Sequence, residues 1–264
     1  MTSHIAICFF GFLGTIPSTE DITTNISRLI PENTLCDIYY YCPNKIHEFS
    51  DNFSIEEKIE IEHVFKSSAI VRNLKIVFYD YDPSVFMSEI FRANIRIYSS
   101  DTNYISIRWL SMFFSMSGSA RLLSESPDVY KCSVVTRVDI LPRVINSGYL
   151  KSTNIIHNDA YVLRTSPYRV TEDNLHAEDR FFYGETGIIC RLKDIYRYAI
   201  TSWNDKTSYG EMILYTFLKQ FEDISIKYQE EVEITSFVNS YKYSEEFIKY
   251  YTDMYDKFKS SLAL

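Results

Sequence analysis

Residues 130–142 read Tyr130-Lys131-Cys132-Ser133-Val134-Val135-Thr136-Arg137-Val138-Asp139-Ile140-Leu141-Pro142. Val134 and Val135 are apolar and β-branched, and Pro142 blocks continuation of a strand. The stretch reads as a short buried strand that carries an arginine and an aspartate, two residues apart, to its C-terminal edge. In open α/β sheets, ligands bind beyond the carboxyl ends of the strands. Arg137 and Asp139 at such an end suit a phosphate and its accompanying metal ion. A surface salt bridge is the plainer alternative.

Working outward, strand-like and helix-like segments alternate through the first half. Residues 5–10 form a continuous apolar run ended by Gly11, as a central strand covered on both faces requires. Ser18 and Asp21 offer N-caps for a helix to Ile30, stopped by Pro31. Residues 37–42 and 74–79 are further strands, and residues 55–70 read as a solvated helix. Asp80-Tyr81-Asp82-Pro83 reads as a turn or N-cap. The long helix at residues 104–123 carries Ser115, Ser117, Gly118, Ser119 and Ala120, small enough for close packing on a sheet. A fifth strand is expected at 154–156, ending in a turn at His157-Asn158-Asp159.

Beyond it the alternation loosens. Phe181-Phe182-Tyr183-Gly184 reads as a short strand and turn, with helices at 188–200 and 209–221 and a late strand at 224–228. Residues 244–262 form a terminal amphipathic helix whose acidic residues favour packing on the protein over an anionic membrane. With no repeat and no linker, the expected fold is a single α/β domain over residues 1–264. Its mixed, mostly parallel central sheet is flanked by helices, and its C-terminal portion is helical.

The chain is 46% apolar and carries a net charge of −8. That excludes wholesale disorder and argues against nucleic acid as a partner. Five cysteines, none in a Cys-x-x-Cys pair, favour reduced buried thiols and a cytoplasmic location over disulfides or zinc. The apolar opening run lacks a basic flank and an Ala-x-Ala exit, and no run reaches transmembrane length.

Gly11-Phe12-Leu13-Gly14 is neither a dinucleotide-binding fingerprint nor a P-loop, although a glycine there lets a base or ribose approach the backbone. Zincin and α/β-hydrolase signatures are missing. Three acidic sites remain: Asp80-x-Asp82, Arg137-x-Asp139, and Glu178-Asp179 before the aromatic run at 181–183.

Their order along an α/β chain resembles the GT-A-type nucleotide-sugar glycosyltransferases, especially small viral and bacterial members with Arg-x-Asp in place of Asp-x-Asp. Four stretches carry the resemblance: Ile5-Ala6-Ile7-Cys8-Phe9-Phe10-Gly11, Cys36-Asp37-Ile38-Tyr39, Val135-Thr136-Arg137-Val138-Asp139, and Glu178-Asp179-Arg180-Phe181-Phe182-Tyr183-Gly184. The resemblance implies a glycosyltransferase that moves a sugar from a nucleotide-diphosphate donor to a glycan, glycoprotein or lipid-linked acceptor. Phe10 and Gly11 would line the donor nucleotide, Arg137 would meet the donor, and Asp139 would bind a divalent metal, Mn²⁺ or Mg²⁺. Asp179 would be the base or an acceptor ligand, and Glu178 could serve as the base in its place. Phe182 and Tyr183 could stack on a sugar face, although core packing is the plainer role for at least one of them. Residues 1–140 would form the nucleotide-sugar half and 141–264 the acceptor half.

Two departures stand out. Related sequences often show an arginine where this chain has Leu13 and Gly14, and one aspartate replaces the usual two. They motivate two alternatives: a non-catalytic glycosyltransferase fold kept for binding or assembly, and a metal-dependent phosphoesterase. Asp80-x-Asp82 competes as the metal site. Only Arg137-x-Asp139 follows the long helix, as the family's arrangement has it, so Asp139 is preferred.

Overall fold

In the computed structural model, which describes residues 4–92, 100–139, 159–163, 181–202, 210–229 and 245–262, the apolar opening run is strand β1 (His4–Phe10). Helix α1 (Thr19–Leu29) follows, started by a capping box in which Ser18 Oγ accepts from the Asp21 amide and Asp21 Oδ2 from the Ser18 amide, both at 3.1 Å. Next come β2 (Leu35–Pro43), α2 (Ile55–Lys66) and β3 (Val71–Tyr79). Helix α2 ends four residues before the expected Ile70, and β3 starts three residues before the expected Leu74. The reason is Asp37 on β2, whose buried carboxylate draws Arg72 and Asn73 into the neighbouring strand.

Helix α3 (Pro83–Arg92) had no counterpart in the sequence reading beyond its N-cap. Asp82 Oδ1 accepts from the Ser84 amide at 2.8 Å, Pro83 occupies the first helical turn, and Phe86, Met87 and Ile90 are buried. Helix α4 (Ser100–Ser124) leads to β4 (Cys132–Arg137). Strand β5 is Asp159–Leu163, so Asp159 opens a strand rather than closing a turn; the expected strand at 154–156 lies outside the described residues.

Strand β6 (Phe181–Glu185) runs into α5 (Thr186–Arg191), a 3-10 turn (Leu192–Asp194) and α6 (Ile195–Ser202), where one continuous helix was expected. Ser117 Oγ on α4 donates to the Lys193 carbonyl at that 3-10 turn. Helix α7 (Gly210–Lys219), strand β7 (Ser225–Gln229) and helix α8 (Glu245–Leu262) complete the order.

Among the described residues, the strands form one seven-stranded sheet in the order β3-β2-β1-β4-β6-β5-β7. All pairings are parallel except those of β6, which runs antiparallel to β4 and β5. Both faces are covered. Ala6, Cys8 and Phe10 of β1 point into the core that includes residues of α3 to α7, while Ile5, Ile7 and Phe9 point into the core shared with α1 and α2. The period-2 alternation thus splits one apolar run between two cores. This is the expected α/β architecture, a mixed, mostly parallel central sheet flanked by helices, with helices α5 to α8 in its C-terminal portion.

Helix α8 lays Met254, Tyr255 and Phe258 on the α3/α4 core, stacking Tyr255 and Phe258 on Phe91 at ring separations of 5.2 and 6.0 Å. Among the described residues, no helix is long and apolar enough to cross a membrane.

Candidate functional site

Strand β1 sits between β2 and β4, so the chain turns one way through β2 and β3 and the other way through β4. The carboxyl ends of β1 and β4 therefore flank a point where strand order reverses, the usual place for a ligand crevice. Phe10 and Arg137 are direct partners there in the parallel register. The reading of Arg137 as a strand-end residue holds, and Asp139 lies just past it in a 3-10 turn.

Gly11 follows β1 with φ of +86°, and a Cβ placed on it would meet no atom within 4 Å. Its backbone therefore faces open space in a conformation that glycine adopts freely. The peptide groups on either side are fixed. The Gly11 amide donates to Ser115 Oγ at 3.1 Å, and Tyr40 Oη donates to the Gly11 carbonyl at 2.6 Å. Gly14 also has positive φ, +71°; its amide donates to the Ile46 carbonyl at 2.9 Å, and the nearest atom to an added Cβ is Asp139 Cβ, at 3.9 Å. The turn from Gly11 to Gly14 thus runs alongside Asp139.

Arg137 turns its guanidinium onto Asp139. Nε donates to Oδ1 at 2.9 Å and a terminal nitrogen to Oδ2, a two-bond fork between side chains that are 27% and 35% exposed. Phe10 is fully buried in the core, main chain included, so it offers a ligand no surface in this structure, and the glycine after it is the exposed part of the turn. Leu13, at the position where the resemblance implies an arginine, is buried too.

Asp80 and Asp82 are engaged elsewhere. Asp80 Oδ1 accepts from Asn44 Nδ2 at 3.0 Å, and Asp82 caps α3. Among the described residues, no three acidic, histidine or cysteine side chains are grouped to hold a metal ion. Among the described residues, the donor set at the strand end is the single carboxylate of Asp139, both of whose oxygens accept from Arg137. That fits an ion carried by substrate phosphates and water, as Mg²⁺ is commonly bound, and does not fit an ion caged by protein ligands.

Glu178 and Asp179 lie outside the described residues. Phe182 and Tyr183 are fully buried, which removes both as sugar platforms; each faces a different core because β6 alternates between the two sheet faces. The five cysteines are free. Burial pushes the thiols of Cys36, Cys42 and Cys132 up to about 12 and that of Cys8 well above its ordinary value, so none of these four is poised as a nucleophile.

Tyr40 and Ser115 were not singled out as site residues. Ser115 belonged to a run of small residues read as packing, and Tyr40 to an aromatic strand with no distinguishing neighbour. Nothing local in the sequence links either one to Gly11.

Asp37 lies at the amino end of β2, the opposite edge of the sheet from Arg137. Its carboxylate is 1% exposed and accepts from the Arg72 guanidinium, from Tyr130 Oη and from Asn73 Nδ2. Burial alone would raise its pKa, but hydrogen bonds from Arg72, Tyr130 and Asn73, with the charge of Arg72, outweigh burial and hold it below the ordinary 3.8. A depressed folded value means that the ionised carboxylate stabilises the fold above pH 3.8, and that this contribution is lost as pH falls through the folded value. Asp37→Asn is expected to destabilise the protein by about 2 kcal/mol near neutral pH, less than for a fully enclosed pair because Arg72 keeps Asp128 at 3.1 Å. Denaturation at pH 7 and below pH 4 checks this: the gap between Asp37→Asn and wild type should shrink in acid.

No protein-family model matches the chain, and no curated protein matches its sequence. Among solved structures it is similar to 4-diphosphocytidyl-2C-methyl-D-erythritol synthase from Anaerococcus prevotii, at 13% identity and a TM-score of 0.43 over 96% of this chain and 97% of that one. A likeness of that size carries no functional argument, and the fold rests on the strand order itself.

Proposed function

We propose that the protein transfers a sugar from a nucleotide-diphosphate donor to a glycan, glycoprotein or lipid-linked acceptor, with residues 1–140 as the donor half and 141–264 as the acceptor half. The observation that carries this reading is the strand-end pairing of an open glycine turn with an arginine–aspartate fork. The nucleotide would lie against the Gly11 backbone, and its diphosphate would meet Arg137.

A diphosphate offers a guanidinium the same two-pronged geometry that Asp139 fills in this structure. Donor binding would therefore exchange one acceptor for another at Arg137 and release the Asp139 oxygens. Asp139 would then hold a divalent ion, which supplies a positive charge beside the leaving diphosphate.

As the bond between the anomeric carbon and the diphosphate breaks, the electron pair goes to the leaving oxygen. Arg137 stabilises that developing charge more in the transition state than in the ground state. The proton of the acceptor hydroxyl would pass to Asp179 or Glu178, whose segment leads into β6; Phe181, the first residue of that strand, pairs with Thr136 beside Arg137. Buried free thiols support a reducing, cytoplasmic setting.

The test is release of nucleoside diphosphate from a panel of nucleotide sugars, with Mn²⁺, with Mg²⁺ and with chelator. Turnover that needs the ion supports the reading. Release of inorganic phosphate from simple esters, with no action on nucleotide sugars, would favour phosphoester hydrolysis instead.

A further inference from the structure

Strands β1 and β2 stop pairing at Phe9 and Tyr40, although both run on. The next rung of a parallel ladder would join Phe10 to Tyr41, through the Tyr41 amide to the Phe9 carbonyl and the Gly11 amide to the Tyr41 carbonyl. That rung is absent from the ladder, and the same four backbone groups end on two hydroxyls of α4. Ser119 Oγ accepts from the Tyr41 amide at 2.8 Å and donates to the Phe9 carbonyl at 2.6 Å. Ser115 Oγ accepts from the Gly11 amide at 3.1 Å and donates to the Tyr41 carbonyl at 2.6 Å.

We propose that Ser115 and Ser119 are a wedge that replaces one rung of the sheet, and that through it Ser115 positions the Gly11 peptide against the nucleotide of the donor. The inference rests on the donor reading above. A direct rung needs one bond of about 2.9 Å, whereas each bridged path contains two bonds, so the seam stays wider than a ladder allows. The two serines lie one helical turn apart on one face of α4, with Gly118 between them against Tyr41, which is the spacing that lets one helix reach two successive rung positions. Tyr40 Oη holds the Gly11 carbonyl while Ser115 holds its amide. The glycine that faces open space is therefore set from both ends, and losing Ser115 frees the end that Ser119 does not touch.

The experiment compares the full-length wild type, Ser115→Ala, Ser119→Ala and Tyr40→Phe. Each is titrated calorimetrically with uridine, guanosine, adenosine and cytidine diphosphates in the presence of Mn²⁺, with melting temperature and amide exchange at Gly11 measured alongside. Ser115→Ala is expected to weaken diphosphate binding about tenfold and to deprotect the Gly11 amide. Ser119→Ala, with a similar loss of melting temperature, should change affinity less than about threefold. Tyr40→Phe should weaken binding in the same direction as Ser115→Ala, and it removes only a hydroxyl. If wild type binds and Ser115→Ala binds equally well, or if affinity simply tracks melting temperature in both serine variants, the positioning role is overturned and the serines only weld α4 to the sheet. If wild type binds none of the diphosphates, the donor reading falls first and the positioning role with it.

Discussion

Asp139→Ala is expected to lower turnover of a nucleotide-sugar donor by roughly 10²–10³-fold while shifting the melting temperature by no more than about 2 °C. The two halves of that expectation have different physical sources. Asp139 is partly exposed, and its fork with Arg137 spans only two residues, so as a stabilising ion pair it is worth no more than about 1 kcal/mol. Under the proposed function, Asp139 is the only described carboxylate offered to a donor-borne ion at this strand end, and its removal would take away charge beside the leaving diphosphate. Steady-state kinetics over a range of Mn²⁺ concentrations checks the first half and thermal denaturation the second. Asp80→Ala, which loses the bond from Asn44, should leave turnover near wild type. An equal fall in Asp80→Ala would move the metal site to that strand end. Arg137→Lys should not restore what Arg137→Ala loses, because an ammonium cannot make two parallel bonds to a diphosphate.

Gly118→Ala is expected to cost about 3 kcal/mol of stability, a fall of roughly 6–10 °C in melting temperature for a chain of this size. A Cβ at position 118 would lie 2.7 Å from the Cβ of Tyr41, with two ring carbons nearer still. The clash is with the root of the side chain, not its flexible end. Tyr41 has little room to yield, since its ring stacks on Tyr79 at 4.7 Å and meets Phe114 edge-on. Relief would have to come from lifting α4 off β2, which stretches the bonds of Ser115 and Ser119 as well. Denaturant unfolding measures the loss. A variant as stable as wild type would mean that α4 does not press on the sheet as closely as the structure has it.

Much of the architecture was legible in local signals. Ser18 with Asp21 announced α1, the run of residues 5–10 announced the central strand, and Val134-Val135 followed by Arg137 announced the end of β4. Each depends on residues within a few positions of one another. What was missed depends on partners far along the chain. Arg72 and Asn73 look like loop residues until Asp37 is placed beside them. The break between α5 and α6 sits where Ser117 takes the Lys193 carbonyl, seventy-six residues away. Phe182 and Tyr183 are aromatic in a way that suits a sugar platform or a core, and only the sheet order, with β6 between β4 and β5, buries both. At the candidate site, the strand-end positions of Gly11, Arg137 and Asp139 were recognisable from the apolar runs before them. Tyr40 and Ser115 were not, because what they hold is a backbone peptide, which leaves no pattern in residue types.

A crystal structure of the protein with a nucleoside diphosphate and Mn²⁺ tests the central claim most directly. The diphosphate is expected within about 3 Å of the Arg137 guanidinium, turned from Asp139, with the ion on Asp139 and the nucleoside against the Gly11 backbone. A diphosphate seated beside Asp80 and Asn44, with the Arg137–Asp139 fork still closed, would contradict it.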